Sequence, residues 1–326
     1  MMDLLDDYLT GVRAHGALFC TTVSTPPWGL RFTEPAPLTL AAMLRGHAWI
    51  VPTEGDPVEL RQGDIALIRT DLPYSVADHP ASFPQVLVDG DDRCTLTADP
   101  AAPGRTWRQT GRTITTDDHP TDLLVTAGYR GGGDLCAPLL RTLPAFTVVH
   151  PEQGLASLLG LITDEADSDK PGQQVVLDRF LDLLLVRTLR SWFDRPDASP
   201  PTGYRALADP DIGHVLCRIH EEPARPWTVA SLAGEAGMSR TTFARRFTAL
   251  VGQPPLAYLT GWRMALAADQ LRKPQATVAA VARAVGYTDG FAFSAAFKRL
   301  RGISPSAHRS ETLPQPRDLP TTPPVG

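Results

Sequence analysis

The chain has 326 residues, enough for two domains of ordinary size. Apolar residues make up 43% and charged residues 21%, the balance of a soluble globular protein, and no apolar run approaches the roughly 20 residues that would span a bilayer. The net charge of −5 conceals an asymmetry: residues 1–205 hold 17 basic and 27 acidic side chains, whereas residues 223–309 hold 12 basic and 3 acidic. An acidic part joined to a basic one points to a polyanion-binding module attached to something else.

The amino terminus, Met1-Met2-Asp3-Leu4-Leu5-Asp6-Asp7, is acidic and lacks the cationic stretch of a signal peptide. Cys20, Cys94, Cys136 and Cys217 are far apart and match neither zinc nor CxxC spacing, so a reducing, cytoplasmic setting is expected. Residues 1–15 read as a short amphipathic helix. From Leu18 to about Val88, short apolar stretches such as Leu38–Leu44, Ala48–Val51, Val58–Leu60 and Ile65–Ile68 alternate with Pro and Gly turns, the spacing of a small antiparallel sandwich or barrel. Residues 89–122 are polar and read as one long loop, after which Leu123–Tyr129 returns as a strand.

Helical periodicity takes over after Pro151, with Leu155, Leu158, Leu159 and Ile162 on one face. A second helix is expected from about Gln174 to Phe193. Its apolar set (Val176, Leu177, Phe180, Leu181, Leu184, Leu185, Leu189, Trp192, Phe193) is wider than an exposed helix needs, and is read as core or as core plus a dimer face. Residues 196–208 form a linker by composition, and the Pro- and Thr-rich end, 314–326, is expected to be disordered.

The last third contains an internal repeat. Thr228-Val229-Ala230 recurs 49 residues later as Thr277-Val278-Ala279. Phe243, Phe247, Gly252 and Pro255 recur 50 residues later as Phe293, Phe297, Gly302 and Pro305. The extra residue falls in the turn, Gly237-Met238-Ser239 against Gly286-Tyr287-Thr288-Asp289. Each copy has the anatomy of a helix-turn-helix: a capping Thr, a turn Gly, a second cap at Ser239 or Asp289, and a paired Phe facing inward. Between the copies, Leu256–Lys273 is long enough for a rod of about 27 Å, which could hold two reading helices roughly one DNA turn apart.

These residues resemble the AraC/XylS family of transcription regulators: Thr228–Phe247, Gly252–Arg263 and Val278–Arg309, with its VGY, FAFSAAFKR and GISPSAHR segments. His308 departs from the aromatic residue usual before the final Arg. The front part resembles the cupin-type sensor domain of one branch of that family, through Pro27–Phe32, Gly63–Ile68 and Gly128-Tyr129. The resemblance implies an α+β chain of two domains. A cupin-like β-barrel with helices over 1–195 serves sensing and dimerisation, and an all-α domain with two helix-turn-helix units over 209–313 binds DNA. It implies a homodimer that binds promoter DNA, works with RNA polymerase, acts as an activator and answers to a small-molecule effector, with no membrane role.

Metal-binding cupins ring the barrel mouth with histidines, and relatives often carry His where Tyr74 stands. Only His47 and His79 remain nearby, so no metal or other cofactor is expected. Relatives also carry Cys where Ala127 stands. Cys20 is a candidate redox thiol that lacks its usual partner, for which Cys94 or Cys136 could substitute. By family position, Arg240, Thr241, Thr242, Ala244 and Arg245 form the outward face of the first reading helix. Arg245 is the candidate for a bidentate contact to guanine and Arg246 for a phosphate. The second helix offers Gly290, Phe291, Ala292, Ser294 and Ala295, with Lys298 and Arg299 toward the backbone. Relatives commonly have Arg where Ala295 stands. Two other readings stand beside a regulator that is not an enzyme. A cupin-fold metalloenzyme fused to DNA-binding helices would need two or three His with a carboxylate, a set this chain does not display. An architectural DNA binder without a sensor function would bind independently of sequence.

Overall fold

The computed structural model describes residues 19–90, 93–97, 107–110, 113–115, 121–129, 137–150, 153–168, 170–201 and 203–312. The expected helix over 1–15, the thiol Cys136 and the tail from 313 lie outside the described residues. The chain divides into two compact units near residue 201.

Among the described residues the front unit has thirteen strands: β1 (Phe19–Ser24), β2 (Gly29–Phe32), β3 (Leu38–Arg45), β4 (His47–Pro52), β5 (Val58–Arg61), β6 (Ile65–Ile68), β7 (Tyr74–Ala77), β8 (Val86–Val88), β9 (Cys94–Leu96), β10 (Arg108–Thr110), β11 (Thr113–Thr115), β12 (Asp122–Tyr129) and β13 (Phe146–Val149). They form two sheets, ordered β10-β11-β1-β12-β3-β6-β13 and β5-β4-β7-β2-β8-β9. Pairing is antiparallel except at β1 with β11 and β2 with β8. The apolar sets of both sheets meet in one core containing Trp28, Leu30, Phe32, Met43, Ile50, Ile68, Tyr74, Val76 and Leu124. The Trp28 indole, wholly buried, donates to Asp122 at 2.7 Å, and its backbone N–H donates to Asp78 at 2.8 Å. Both hydrogen bonds meet the requirement that polar groups be satisfied when they leave water.

The strands expected over 38–68 form as read. The polar stretch 89–122 does not form one loop: β9, β10 and β11 lie within it. The three-residue strand Thr113-Ile114-Thr115 carries one buried apolar side chain and Cys94-Thr95-Leu96 none, too few to register as an alternation. Their pairing comes from sheet edges that only the folded unit supplies.

Helix α1 (Ala137–Thr142) precedes β13, and α2 (Gln153–Ala166) packs against α3 (Gln173–Phe193). The buried face of α3 is Leu177, Leu181, Leu184, Leu185, Leu189 and Phe193. Its Leu181 carbonyl accepts a 3.0 Å hydrogen bond from the Tyr129 hydroxyl of β12, which ties this helix to its own sheet.

The back unit is helical: a 3₁₀ turn at Arg205–Ala208, α4 (Pro210–Glu221), α5 (Val229–Glu235), α6 (Arg240–Val251), α7 (Pro255–Leu271), α8 (Val278–Ala284), α9 (Gly290–Arg301) and α10 (Pro305–Thr312). The 3₁₀ turn falls inside the stretch read as linker from composition. It packs on α4 and α6, with Ala206 wholly buried, so the back unit reaches further toward the front than that reading. Helix α4 starts at a strong signal, Asp209 as cap with Pro210 behind it; the Asp209 carboxylate accepts from the N–H groups of Asp211 and Ile212.

Candidate nucleic-acid interface

The repeat in sequence is a repeat in structure. Helices α5 and α8 each have seven residues and are offset by 49; α6 and α9 each have twelve and are offset by 50. The capping residues are those the sequence marks. Thr228 accepts from Ser231 N and Thr277 from Ala280 N at the first helices, Ser239 from Thr242 N and Asp289 from Phe291 and Ala292 N at the second. The turns close on Gly237 and Gly286 at φ +61° and +85°, the left-handed region where a Cβ is penalised.

The paired phenylalanines fix which face of each second helix looks outward. Phe243 and Phe247 are wholly buried in the first unit, and Phe247 meets the Tyr258 ring of α7 edge-on. Phe293 and Phe297 are wholly buried against Met264, Ala267, Ala268 and Leu271 of α7, Val281 and Ala282 of α8, and Val285 just after it. His308 meets Phe297 edge-on at 5.5 Å, and its Nε2 lies 3.2 Å from the Ala268 carbonyl. The imidazole thus packs as a ring at the place where the resemblance leads one to expect an aromatic residue.

With the phenylalanines inside, Arg240, Thr241, Thr242 and Arg245 on α6 are exposed and Ala244 is half-buried. On α9, Gly290, Phe291, Ala292, Ala295, Lys298 and Arg299 are exposed and Ser294 is half-buried. The structure therefore brings the sequence-marked residues onto two outward faces, with one exception. Arg246 donates to Asp211 at 2.8 Å and to Asp209 at 2.7 Å, and the two carboxylates raise the pKa of its guanidinium. Asp209 is held below the usual carboxylate value, first by the Ile212 N–H and further by Arg246. Arg246, read from sequence as a phosphate contact, ties α6 to the start of α4 in this structure. The carboxylates that claim it lie 35 and 37 residues upstream, which no local pattern announces.

Other carboxylates of the back unit are occupied in the same way. Arg218 pairs with Glu221, Glu222 and Glu235, and Arg225 with Glu222 and Glu235. The side chains of Arg240, Arg245, Lys298 and Arg299 make no hydrogen bond or ion pair with any described residue. These four cations place positive charge on the two outward faces, as binding to a polyanion requires.

A brace between the two repeats escaped the sequence reading. The guanidinium of Arg263 on α7 donates to the Pro223 and Arg225 carbonyls, both at 2.7 Å, and burial lowers its pKa. Gly286, in the second turn, lies against the same loop, where a Cβ would stand 2.6 Å from the Ala224 carbonyl. Arg263 sits in the segment that carries the family resemblance, but its partners are carbonyls, which leave no side-chain signature.

In the front unit, Cys20 lies on β1, and Cys94 is half-buried on β9 beside the core. Neither Cys94 nor Cys217 is in a disulfide. Tyr74 is wholly buried and stacked on Phe32 at 4.8 Å. His47 is exposed on β4, and His79 accepts from the Ala81 N–H at 3.2 Å. Among the described residues no three His, Cys, Asp or Glu side chains gather as metal ligands would. Among them, too, no helix is long and apolar enough to cross a membrane.

Comparison with known proteins agrees with both halves of this description. Residues 3–194 match the Cupin family and residues 232–311 match the Helix-turn-helix domain family. A protein of Streptomyces lividans designated an AraC-like transcription regulator is 33% identical over 319 residues, spanning 96% of this chain and 100% of its own length. One of Streptomyces antibioticus with the same designation is 34% identical over 325 residues, again 96% and 100%. Among solved structures, the DNA-binding domain of AdpA in complex with a target DNA is 34% identical, with a TM-score of 0.30, covering 30% of this chain and 89% of that one.

Proposed function

This chain belongs to the AraC-like transcription regulators, a DNA-binding family with a cupin front and a helix-turn-helix back, and on that premise we propose that it reads two adjacent major grooves with α6 and α9. The observation that carries the proposal is the pair of twelve-residue helices whose outward faces hold the unpaired cations. The connecting helix α7 has 17 residues, about 26 Å at the α-helical rise, a spacer suited to successive grooves on one side of a duplex.

On α6 the polar forks lie in the first half of the helix. Arg245 reaches for a guanine edge, Arg240 and Thr241 flank it, and Thr242 is partly spent on its 2.9 Å hydrogen bond with Ser239. On α9 the cations Lys298 and Arg299 lie in the last turn and suit phosphates. Base reading is therefore unequal, with hydrogen-bonded discrimination concentrated at α6.

We further propose a homodimer through the outer face of α3. Its inner face is used up on its own sheet, yet Val176 and Leu183, seven residues apart, remain 38% and 48% exposed, with Val175 at 63%. Activation with RNA polymerase as partner, and control by an effector or a redox signal at the front unit, rest on the family resemblance alone. The relatives are named as regulators rather than enzymes.

Selection of binding sites from a random duplex pool by the full chain tests the groove reading. The expected product is a site with two preferred segments about one helical turn apart, roughly 10 base pairs. A single short preferred segment, or none, would refute it.

A further inference from the structure

Phe291 is the most exposed large apolar side chain among the described residues, at 89%. It stands in the first turn of α9, the end of a reading helix that approaches base edges. A first helical turn gains nothing from an aromatic ring in water, and no described residue packs on it. The corresponding position of α6, fifty residues earlier, is the polar Thr241.

The surroundings define what the ring can meet. Gly290 before it has no side chain and nothing within 4 Å of where a Cβ would stand, so the helix tip is slim. Ala295, four residues on, and Ala292 extend the same exposed face with methyl groups, and the one hydroxyl beside them, Ser294, is half-buried. Lys298 and Arg299, seven and eight residues on, continue that face as cations. The Phe291 and Ala292 N–H groups are already taken by the Asp289 carboxylate, so these two offer nothing to a phosphate or a base. The face is thus an apolar head followed by a cationic tail. A tail that holds phosphates at the groove rim carries the head to the groove floor. The one apolar group that a base pair shows there is the thymine 5-methyl.

We propose that Phe291 is a specificity-determining residue that reads thymine methyls in the half of the site opposite α9, with Ala292 and Ala295 completing the apolar contact. The inference rests on the two-groove reading above and deepens it at one helix.

The test uses the full chain and the duplex obtained by site selection. Each thymine in the α9 half is replaced by deoxyuridine, which removes only the methyl. Loss of one well-buried methyl should weaken binding about fourfold, the equivalent of one buried methylene. Phe291→Ala should bind the thymine duplex more weakly than the native chain and be nearly indifferent to the deoxyuridine replacement, while Phe291→Leu keeps part of the sensitivity. Because the ring touches no core, all variants should melt with the native chain by circular dichroism. Four results would overturn the inference: no thymine preference in the α9 half, a deoxyuridine penalty that persists undiminished in Phe291→Ala, an equal loss on both duplexes, or native binding by Phe291→Ala on every duplex. The last would assign the ring to a protein partner instead. A selected site with preference confined to one half overturns the groove reading as well, so the two failures are distinguishable.

Discussion

Arg245 and Arg246 are neighbours of the same type on one helix, and the structure gives them different surroundings. Arg245 points outward with no partner among the described residues, so Arg245→Ala should leave stability unchanged. It should relax sequence preference in the α6 half of the site by about 1–3 kcal/mol, read from binding to a panel of single-base variants. Lys298→Ala should instead weaken binding equally on every sequence and lower the salt slope by about one unit. Arg246→Ala should behave in neither way. It removes a cation that favours ionised Asp209, whose pKa in the folded chain is lowered. A lowered carboxylate pKa contributes stability above the unfolded-state value, and that stability is lost as pH falls through the folded-state value. The variant should therefore melt below the native chain at neutral pH, with the gap closing under acid conditions as Asp209 protonates. Thermal melts across pH check this; a gap that does not depend on pH would refute the assignment.

At the scale of elements, the two helix-turn-helix copies are built alike but braced differently. Both turn glycines have positive φ, so alanine at either is strained by about 1–2 kcal/mol. At Gly237 nothing lies within 4 Å of a Cβ, whereas at Gly286 the Ala224 carbonyl and the Arg263 guanidinium lie within 3 Å. Gly286→Ala should therefore destabilise the chain more than Gly237→Ala in denaturant titrations. Because the displaced contacts join the second turn to the loop ahead of the first repeat, it should also weaken binding to the whole site more than to the α6 half alone. Phe297→Ala opens a cavity in the second repeat and should cost about 3–5 kcal/mol.

For the whole molecule, charge and apolar surface assign different tasks to the two units. The basic window over 223–309 neutralises phosphates, so log affinity of the full chain should fall by roughly 0.9 per phosphate contact for each tenfold rise in salt. A salt-independent affinity would exclude DNA binding through this face. The α3 stripe separates by depth: Leu184 is wholly buried and Leu183 beside it is 48% exposed. Leu183→Asp should yield a folded monomer by light scattering, while Leu184→Asp should unfold the front unit. A Leu183→Asp chain that remains a dimer would place the dimer face elsewhere.

The sequence by itself determined what is local and repeated. Caps, turn glycines and a Phe pair at constant spacing fix two helix-turn-helix copies, because each of these acts within a few residues of its own position. The short apolar stretches of the front sheets were legible for the same reason, since an apolar run bounded by Pro and Gly turns is a near-neighbour property. Three things were settled only by tertiary structure. The short strands β9–β11 exist because a sheet edge accepts them, an edge formed by residues far away in the chain. The inner and outer faces of α3 separate only once its sheet is in place, since a wide apolar stripe suits core and interface alike. The pairing of Arg246 was decided by Asp209 and Asp211 at the start of a helix that the sequence reading left unassigned. An ion pair depends on where charges stand in space, and the order of residues does not encode that by itself.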